Sequence, residues 1–359
     1  MFKINFPPMS QAIERIIDPR QERVGHIDIS SIWIPRIDST LGVYRVSIDI
    51  VGDEGMTKRT AVLKVLDSSP RSQREVTLST RTVLLNLPHS ITTPRCLGTV
   101  TIESTTGILY EDVNDIFGGE WPPNMFIHVA RLLGRLSGGA SSRLRAAASS
   151  VPARQLLTRD QVYTDTLDAL EKWGDHRFIR LVLPTDLRSA LLSLMQHRER
   201  VVTMLEDEPL LVCHGDAQRR NAFAISQDAI SLIDWPNLSM APPAVDLATL
   251  VYYGFAHFDM SIADMHSLSK SMLHAYCSGL MESGWTGQQE LVRLSFLSHL
   301  VIGIGIFEAA TVVRLASDPS YAARLETLCG QRLPQILTRR LELNTALAHV
   351  GTKFFRSFN

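Results

Sequence analysis

The chain has 359 residues, 45% of them apolar and 20% charged, with a formal net charge of −1. That length holds one large domain or two lobes around a sizeable core. The near-neutral balance argues against a broad nucleic-acid surface, which needs a clear basic excess. The most apolar region, 299–315, is interrupted by Gly303, Gly305, Glu308 and Arg314 and reads as a buried core helix, so no membrane span is predicted.

Cys96, Cys213, Cys277 and Cys329 are dispersed without a C-x-x-C pair, which predicts reduced core thiols and neither a disulfide frame nor a zinc site. The opening residues, Met-Phe-Lys-Ile-Asn-Phe-Pro-Pro, lack the apolar core of a signal peptide, and a cytoplasmic location is expected.

In chain order, Ser10–Ile17 fits a short amphipathic helix capped by Ser10. Residues 31–66 are rich in Ile, Val and Tyr and predict strands over Ser31–Ile37, Val43–Val51 and Thr60–Leu66. Lys64 stands amid apolar neighbours in the last of these, where an ammonium needs a partner. A helix follows over Arg74–Leu87, with Glu75 in its first turn. Thr93–Leu97 and Gly107–Val113 read as a hairpin feeding a linker. Asn114-Asp115, Gly118-Gly119 and Pro122-Pro123 then mark a lobe boundary. Beyond it the periodicity becomes helical: Asn124–Gly138 with Asn124 as cap, then Thr158–Trp173 and Thr185–Met204. Gly138–Val151 is small, polar and arginine-bearing, and reads as a flexible insertion. The remainder after Leu247 is helical.

Residues 211–236 carry the chemistry. Two apolar runs, Leu210–Cys213 and Ile230–Ile233, deliver Asp216 and Asp234, and Asn221 follows the first aspartate. Two carboxylates and an amide oxygen are hard ligands that suit Mg2+ with phosphate. Phosphoryl transfer needs such a set, one carboxylate orienting the nucleophile and the others holding the metal on the phosphates.

His214-Gly215-Asp216-x-x-x-x-Asn221, Ile233-Asp234-Trp235 and Pro243-x-x-Asp246-Leu247-Ala248, in this order, resemble the aminoglycoside phosphotransferase and choline kinase family. The resemblance implies an α+β, two-lobed protein-kinase-like fold. An N-terminal extension would occupy 1–30. The N-lobe, an antiparallel sheet with one helix, would occupy 31–113, and a helical C-lobe 114–359. It also implies ATP (or GTP) and Mg2+ as cofactors.

Residue by residue, the resemblance makes Asp216 the catalytic carboxylate and Asn221 and Asp234 the metal ligands. His214 and Asp246 brace the loop. Lys64 meets the α- and β-phosphates, steadied by Glu75. Asp38–Gly42 takes the place of the phosphate-covering loop, with Ser39, Thr40 and Gly42 as its contacts, although an ordinary hairpin turn fits as well. Tyr110 borders the adenine pocket, and the Glu111 carbonyl and Val113 N–H meet the adenine edge. Arg219 and Arg220 depart from the family's usual filling. Either could meet the γ-phosphate or an acidic substrate group, or form a surface ion pair.

The acceptor is expected to be a hydroxylated small molecule such as an antibiotic or natural product. Two alternatives stay open. One is a kinase for Ser/Thr of a peptide, suggested by the basic stretch 143–154 and the weakly acidic C-terminal half. The other is a non-catalytic nucleotide- or partner-binding module, suggested by the sparse phosphate loop. The aromatic group Tyr252, Tyr253, Phe255 and Phe258 either lines an acceptor pocket or packs the core.

Overall fold

The computed structural model describes residues 23–33, 40–52, 55–102, 105–150, 160–206, 208–305, 308, 315 and 318–356. The predicted helix Ser10–Ile17, Ser39 and most of 306–317 lie outside the described residues.

A five-stranded antiparallel sheet, ordered β1-β2-β3-β6-β5, forms the smaller lobe from β1 (Arg23–Trp33), β2 (Thr40–Gly52), β3 (Gly55–Leu66), β5 (Cys96–Ile102) and β6 (Thr105–Glu111). Alternation sorts the side chains of β2 and β3. Tyr44, Val46, Ile48 and Ile50 join Ala61, Leu63 and Val65 in one buried cluster with Val100 and Leu109. The opposite face carries Val43 and Arg45 on β2 and Val62 and Lys64 on β3, none of them fully buried.

The first strand starts at Arg23, earlier than the expected Ser31. Ile27 and Ile29, two positions apart, already pack against the buried cluster and pair with β2. The proposed extension 1–30 is thus shortened by a strand that belongs to the sheet.

Helix α1 spans Pro70–Thr80 and not Arg74–Leu87; Thr82–Asn86 forms a separate 3-10 turn. Ser69 caps α1 by accepting from the Ser72 N–H, and Pro70 takes a position that needs no donor. Glu75 consequently sits beyond the first turn, and it is buried.

The larger lobe is helical. Helix α2 (Pro123–Gly139) starts behind Pro122, with no side-chain cap from Asn124. Helix α3 (Ser142–Ser149) replaces the expected flexible insertion: Ser141 accepts from Leu144 N–H, and Leu144 and Ala148 are buried. Arg145 donates to the carbonyls of Gly138 and Ala140, so this basic residue is spent on local structure. Helix α4 covers Asp160–Trp173 and α5 covers Arg177–Val182. The predicted Thr185–Met204 helix is two, α6 (Thr185–Met195) and α7 (Arg198–Glu206). Helices α8 (Val245–Ala256), α9 (Met265–Glu282) and α10 (Gln289–Ser298) follow. A fully buried π-helical turn, His299–Gly305, then leads towards α11 (Pro319–Cys329) and α12 (Leu333–Arg356). None of the helices among the described residues is long and apolar enough to cross a membrane.

Between the helices lie short strands that hold the motif. β7 (Leu211–Cys213) pairs with β10 (Ser239–Ala241), and β8 (Ala222–Ala224) pairs with β9 (Ile230–Leu232). β4 (Ile91–Thr92) adds to β9 in parallel, joining the smaller lobe's chain to the strand that delivers Asp234. Arg74 on α1 strengthens that junction by donating to the carbonyls of Leu238 and Ala147.

Candidate active site

Lys64 projects from the less buried face of β3 towards α1. Its ammonium donates to Glu75 Oε1 at 2.6 Å and to Asp234 Oδ1 at 2.8 Å. Residues from strand, helix and distant hairpin thus meet at one nitrogen. Burial pulls the Lys64 pKa down, but the negative charges of Asp234 and Glu75 outweigh it and hold the amine above its ordinary value. Burial raises Glu75, partly countered by Lys64. Burial also opposes ionisation of Asp234, yet Lys64 prevails and its carboxyl falls below the usual range. The firm charge pair is therefore Lys64 with Asp234.

Asp234 adopts a left-handed backbone, φ 65°, between β9 and a 3-10 turn. Such strain at a non-glycine residue persists where surrounding structure dictates it. Here the bracing comes from His214. Its Nε2–H donates to the Ile233 carbonyl at 3.0 Å, and its Nδ1 accepts from the Asp216 N–H at 3.3 Å. This pattern requires the neutral ring, and burial lowers the His214 pKa accordingly. Its ring also meets Trp235 edge-on, with centroids 4.5 Å apart.

Gly215 has φ 81°, and a Cβ there would fall 2.4 Å from the Asn237 carbonyl oxygen. Only glycine lets the chain turn there so close to the following hairpin. Asp246 fastens this turn from the start of α8, accepting from the N–H groups of His214 and Gly215 and from the Cys213 thiol.

Asp216 accepts from the side-chain amides of Gln218 and Asn221, both at 2.9 Å. Burial and the nearby charge of Asp234 push its pKa up to about 7. The Asn221 amide nitrogen also donates to the Asp216 carbonyl, so its oxygen is the end it can offer a cation. Gln218 was not expected at the site; its amide is now one of two donors fixing Asp216. Arg71 on α1 is another addition, its charge acting on Asp216, Asp234 and Glu75.

The donor set fits Mg2+ bound largely through phosphate. No group of three or more His, Cys, Asp or Glu among the described residues could hold a metal alone. Mg2+ typically takes one or two carboxylates together with phosphate and water. Asp234 and the Asn221 oxygen could supply that share, and the Lys64 ammonium already lies against this carboxylate.

The remaining expected site residues fall as follows. Thr40 and Gly42 lie within β2, across from Leu66 and Val65. A Cβ at Gly42 would fall 2.6 Å from the Tyr44 hydroxyl, so the Tyr44 ring would have to shift for any larger residue here. The Tyr110 hydroxyl bonds Ser79 Oγ at 2.6 Å and ties β6 to α1. Glu111 ends β6, its N–H donating to the Arg95 carbonyl, and Val113 follows in the linker.

Of the two readings open for Arg219, the geometry favours the ion pair, and places it in the interior. Its guanidinium lies 3.0 Å from Asp115, both side chains 8% exposed, and 4.5 Å over the Trp121 ring. Arg220 donates to the Leu328 carbonyl. Neither contact is with Asp216, Asn221 or Asp234. Arg219→Ala strands a buried carboxylate, and a loss of about 3 kcal/mol of stability is expected. Thermal melting checks it; an unchanged midpoint would show that the pair contributes nothing.

A model of the phosphotransferase enzyme family matches residues 54–283, more than half of the 359-residue chain. No curated protein matches the sequence. Among solved structures, the chain is similar in fold to an amicoumacin kinase in complex with AMP-PNP and Ca2+, at 11% identity and TM-score 0.51, covering 96% of each chain. It is similar to a spectinomycin phosphotransferase in complex with ADP and spectinomycin, at 10% identity and TM-score 0.53, covering 93% of this chain and 98% of the other. A third, solved as its GDP and kanamycin complex, shares 13% identity at TM-score 0.51, covering 90% and 97%.

Proposed function

The chain belongs to the phosphotransferase enzyme family, and from that premise we propose that it moves the γ-phosphate of ATP or GTP, with Mg2+, to a hydroxyl of a small-molecule acceptor. The observation that carries this reading is the meeting of Lys64, Glu75 and Asp234 at 2.6 Å and 2.8 Å, beside an Asp216 already oriented by two amides. A chain released from catalysis has no need to keep buried charges so arranged, since each is costly without its partners.

In this reading Lys64 meets the α- and β-phosphates and Glu75 keeps it extended. Asn221 and Asp234 hold the metal, which when bound neutralises charge on the phosphate oxygens. Asp216 accepts a hydrogen bond from the acceptor hydroxyl and orients its oxygen at the γ-phosphorus. As the new P–O bond forms and the bond to the β-phosphate oxygen breaks, the proton passes to Asp216, leaving a phosphate ester and a nucleoside diphosphate.

The small-molecule class of acceptor is supported by the spectinomycin and kanamycin of the fold relatives. It gains further support because Arg145, part of the basic stretch that suggested a peptide, is held in local hydrogen bonds. The test incubates the protein with MgATP or MgGTP and a panel of hydroxylated antibiotics and Ser/Thr peptides. Transfer is read as a mass gain of about 80 daltons, one phosphoryl group. Modification confined to small molecules is expected. Modification confined to peptides would overturn the acceptor class, and nucleotide binding without transfer to any acceptor would favour a non-catalytic module.

A further inference from the structure

Strand register places an arginine on the face of the sheet that carries Lys64, close to the linker. Arg45 pairs across the sheet with Val62, and Val62 pairs with Tyr110. Val43, Lys64 and Ile108 form the adjacent row in the same registers. Cross-strand partners share a face, so Arg45 stands on the face from which Lys64 reaches Glu75, one row nearer the linker. Its neighbour on the other side is Ser30, and with Val62 this gives short side chains on both flanks.

The guanidinium is not loose. Its Nε donates to Asp112 Oδ2 at 3.0 Å, and its Nη2 reaches Asp112 Oδ1 at 3.5 Å. Asp112 directly follows β6 in the linker. The Arg45 side chain is 50% exposed and that of Asp112 17%, and a pair so open to solvent contributes little to stability. What it supplies is orientation: a planar cation held by its edge and half open to solvent.

We propose that Arg45, aligned by Asp112, is the ceiling of the base pocket and stacks its guanidinium on the purine of the bound nucleotide. This rests on the nucleotide-dependent reading above and deepens it: recognition by a π-face, indifferent to the choice between adenine and guanine. Arginine planes stack on aromatic rings more effectively than lysine ammoniums do. Arg45 is a specificity-determining contact in this account, selecting a purine-bearing triphosphate over a bare one.

The experiment titrates the full chain calorimetrically with MgATP, MgGTP and magnesium tripolyphosphate, which carries the phosphates without a base. Arg45→Ala is expected to weaken both nucleotides about tenfold, and tripolyphosphate by less than about twofold. Arg45→Lys, which keeps the charge and loses the plane, should resemble Arg45→Ala. Asp112→Asn should weaken both nucleotides by about threefold through lost alignment. Unchanged nucleotide affinity in Arg45→Ala would overturn the proposal, as would an equal loss for tripolyphosphate, which would make Arg45 a phosphate contact. A wild-type chain that binds neither nucleotide would instead remove the underlying reading, an outcome distinct from wild-type binding that survives the substitution.

Discussion

Asp216→Asn is expected to reduce turnover by about a thousandfold while raising the melting temperature at about pH 8. The loss follows from chemistry: an amide orients a hydroxyl but cannot take its proton, and proton acceptance in the transition state is worth about two to four orders of magnitude. The gain follows from electrostatics. Burial and the charge of Asp234 raise the carboxyl to about 7, from an ordinary 3.8. Below the ordinary value the group is protonated in both folded and unfolded chains and contributes nothing. As pH rises the unfolded chain ionises first, and the folded state is progressively penalised until the penalty is complete above about 7. Asparagine removes that penalty. It keeps an oxygen for the Asn221 amide, and Gln218 can reverse its own amide to accept from the new one.

Lys64, Asn221 and Asp234 remain, so nucleotide affinity should stay within about threefold. Melting with a chelator present, at acid and alkaline pH, separates the terms: a gain at alkaline pH that disappears towards pH 4 is the signature. Turnover within tenfold of wild type would sink the assignment of Asp216.

The motif was legible because its chemistry is local. His214, Gly215, Asp216 and Asn221 lie on one loop, and the apolar runs on either side announce the strands that hold it. Lys64 was legible because an ammonium in an apolar strand demands a partner, and α1 supplies Glu75. Arg219 was not, because its partners, Asp115 and Trp121, come from the chain after the linker, far away in sequence. Arg45 was illegible for the same reason: only the register across β2, β3 and β6 brings it beside the linker. Other misses had readable signals. Ser69-Pro70 announces the start of α1, and Ser141 before Ser-Arg-Leu-Arg-Ala-Ala-Ala caps a strong helix former, despite the small residues that made it look flexible. Gly42 shows the converse, a glycine that invites a phosphate-loop reading yet also leaves space for the Tyr44 ring packed against it.

Asp246→Ala should produce the largest loss of stability among substitutions around the site, about 3–5 kcal/mol. Asp246 is 2% exposed and receives the His214 N–H at 2.7 Å, the Gly215 N–H at 2.9 Å and the Cys213 thiol at 3.1 Å. Alanine leaves two buried backbone donors without an acceptor, each costing about 1–3 kcal/mol. It also removes a carboxylate from the first turn of α8, where the helix dipole favours negative charge. A fall in melting temperature of roughly 4–7 °C is the expected reading for a chain of this size. Turnover should fall with it even at temperatures where the protein stays folded. The N–H groups that Asp246 holds belong to the residues immediately before Asp216, and a loop freed by even about 1 Å loses the alignment of its carboxylate. Asp246→Asn separates the two effects, since it keeps one acceptor oxygen and the side-chain volume: stability should recover in part, and turnover in proportion to the order regained by the Gly215 turn. An Asp246→Ala protein that melts like wild type would show that water satisfies these amides and that the turn is held from Asn237 and Trp235 alone.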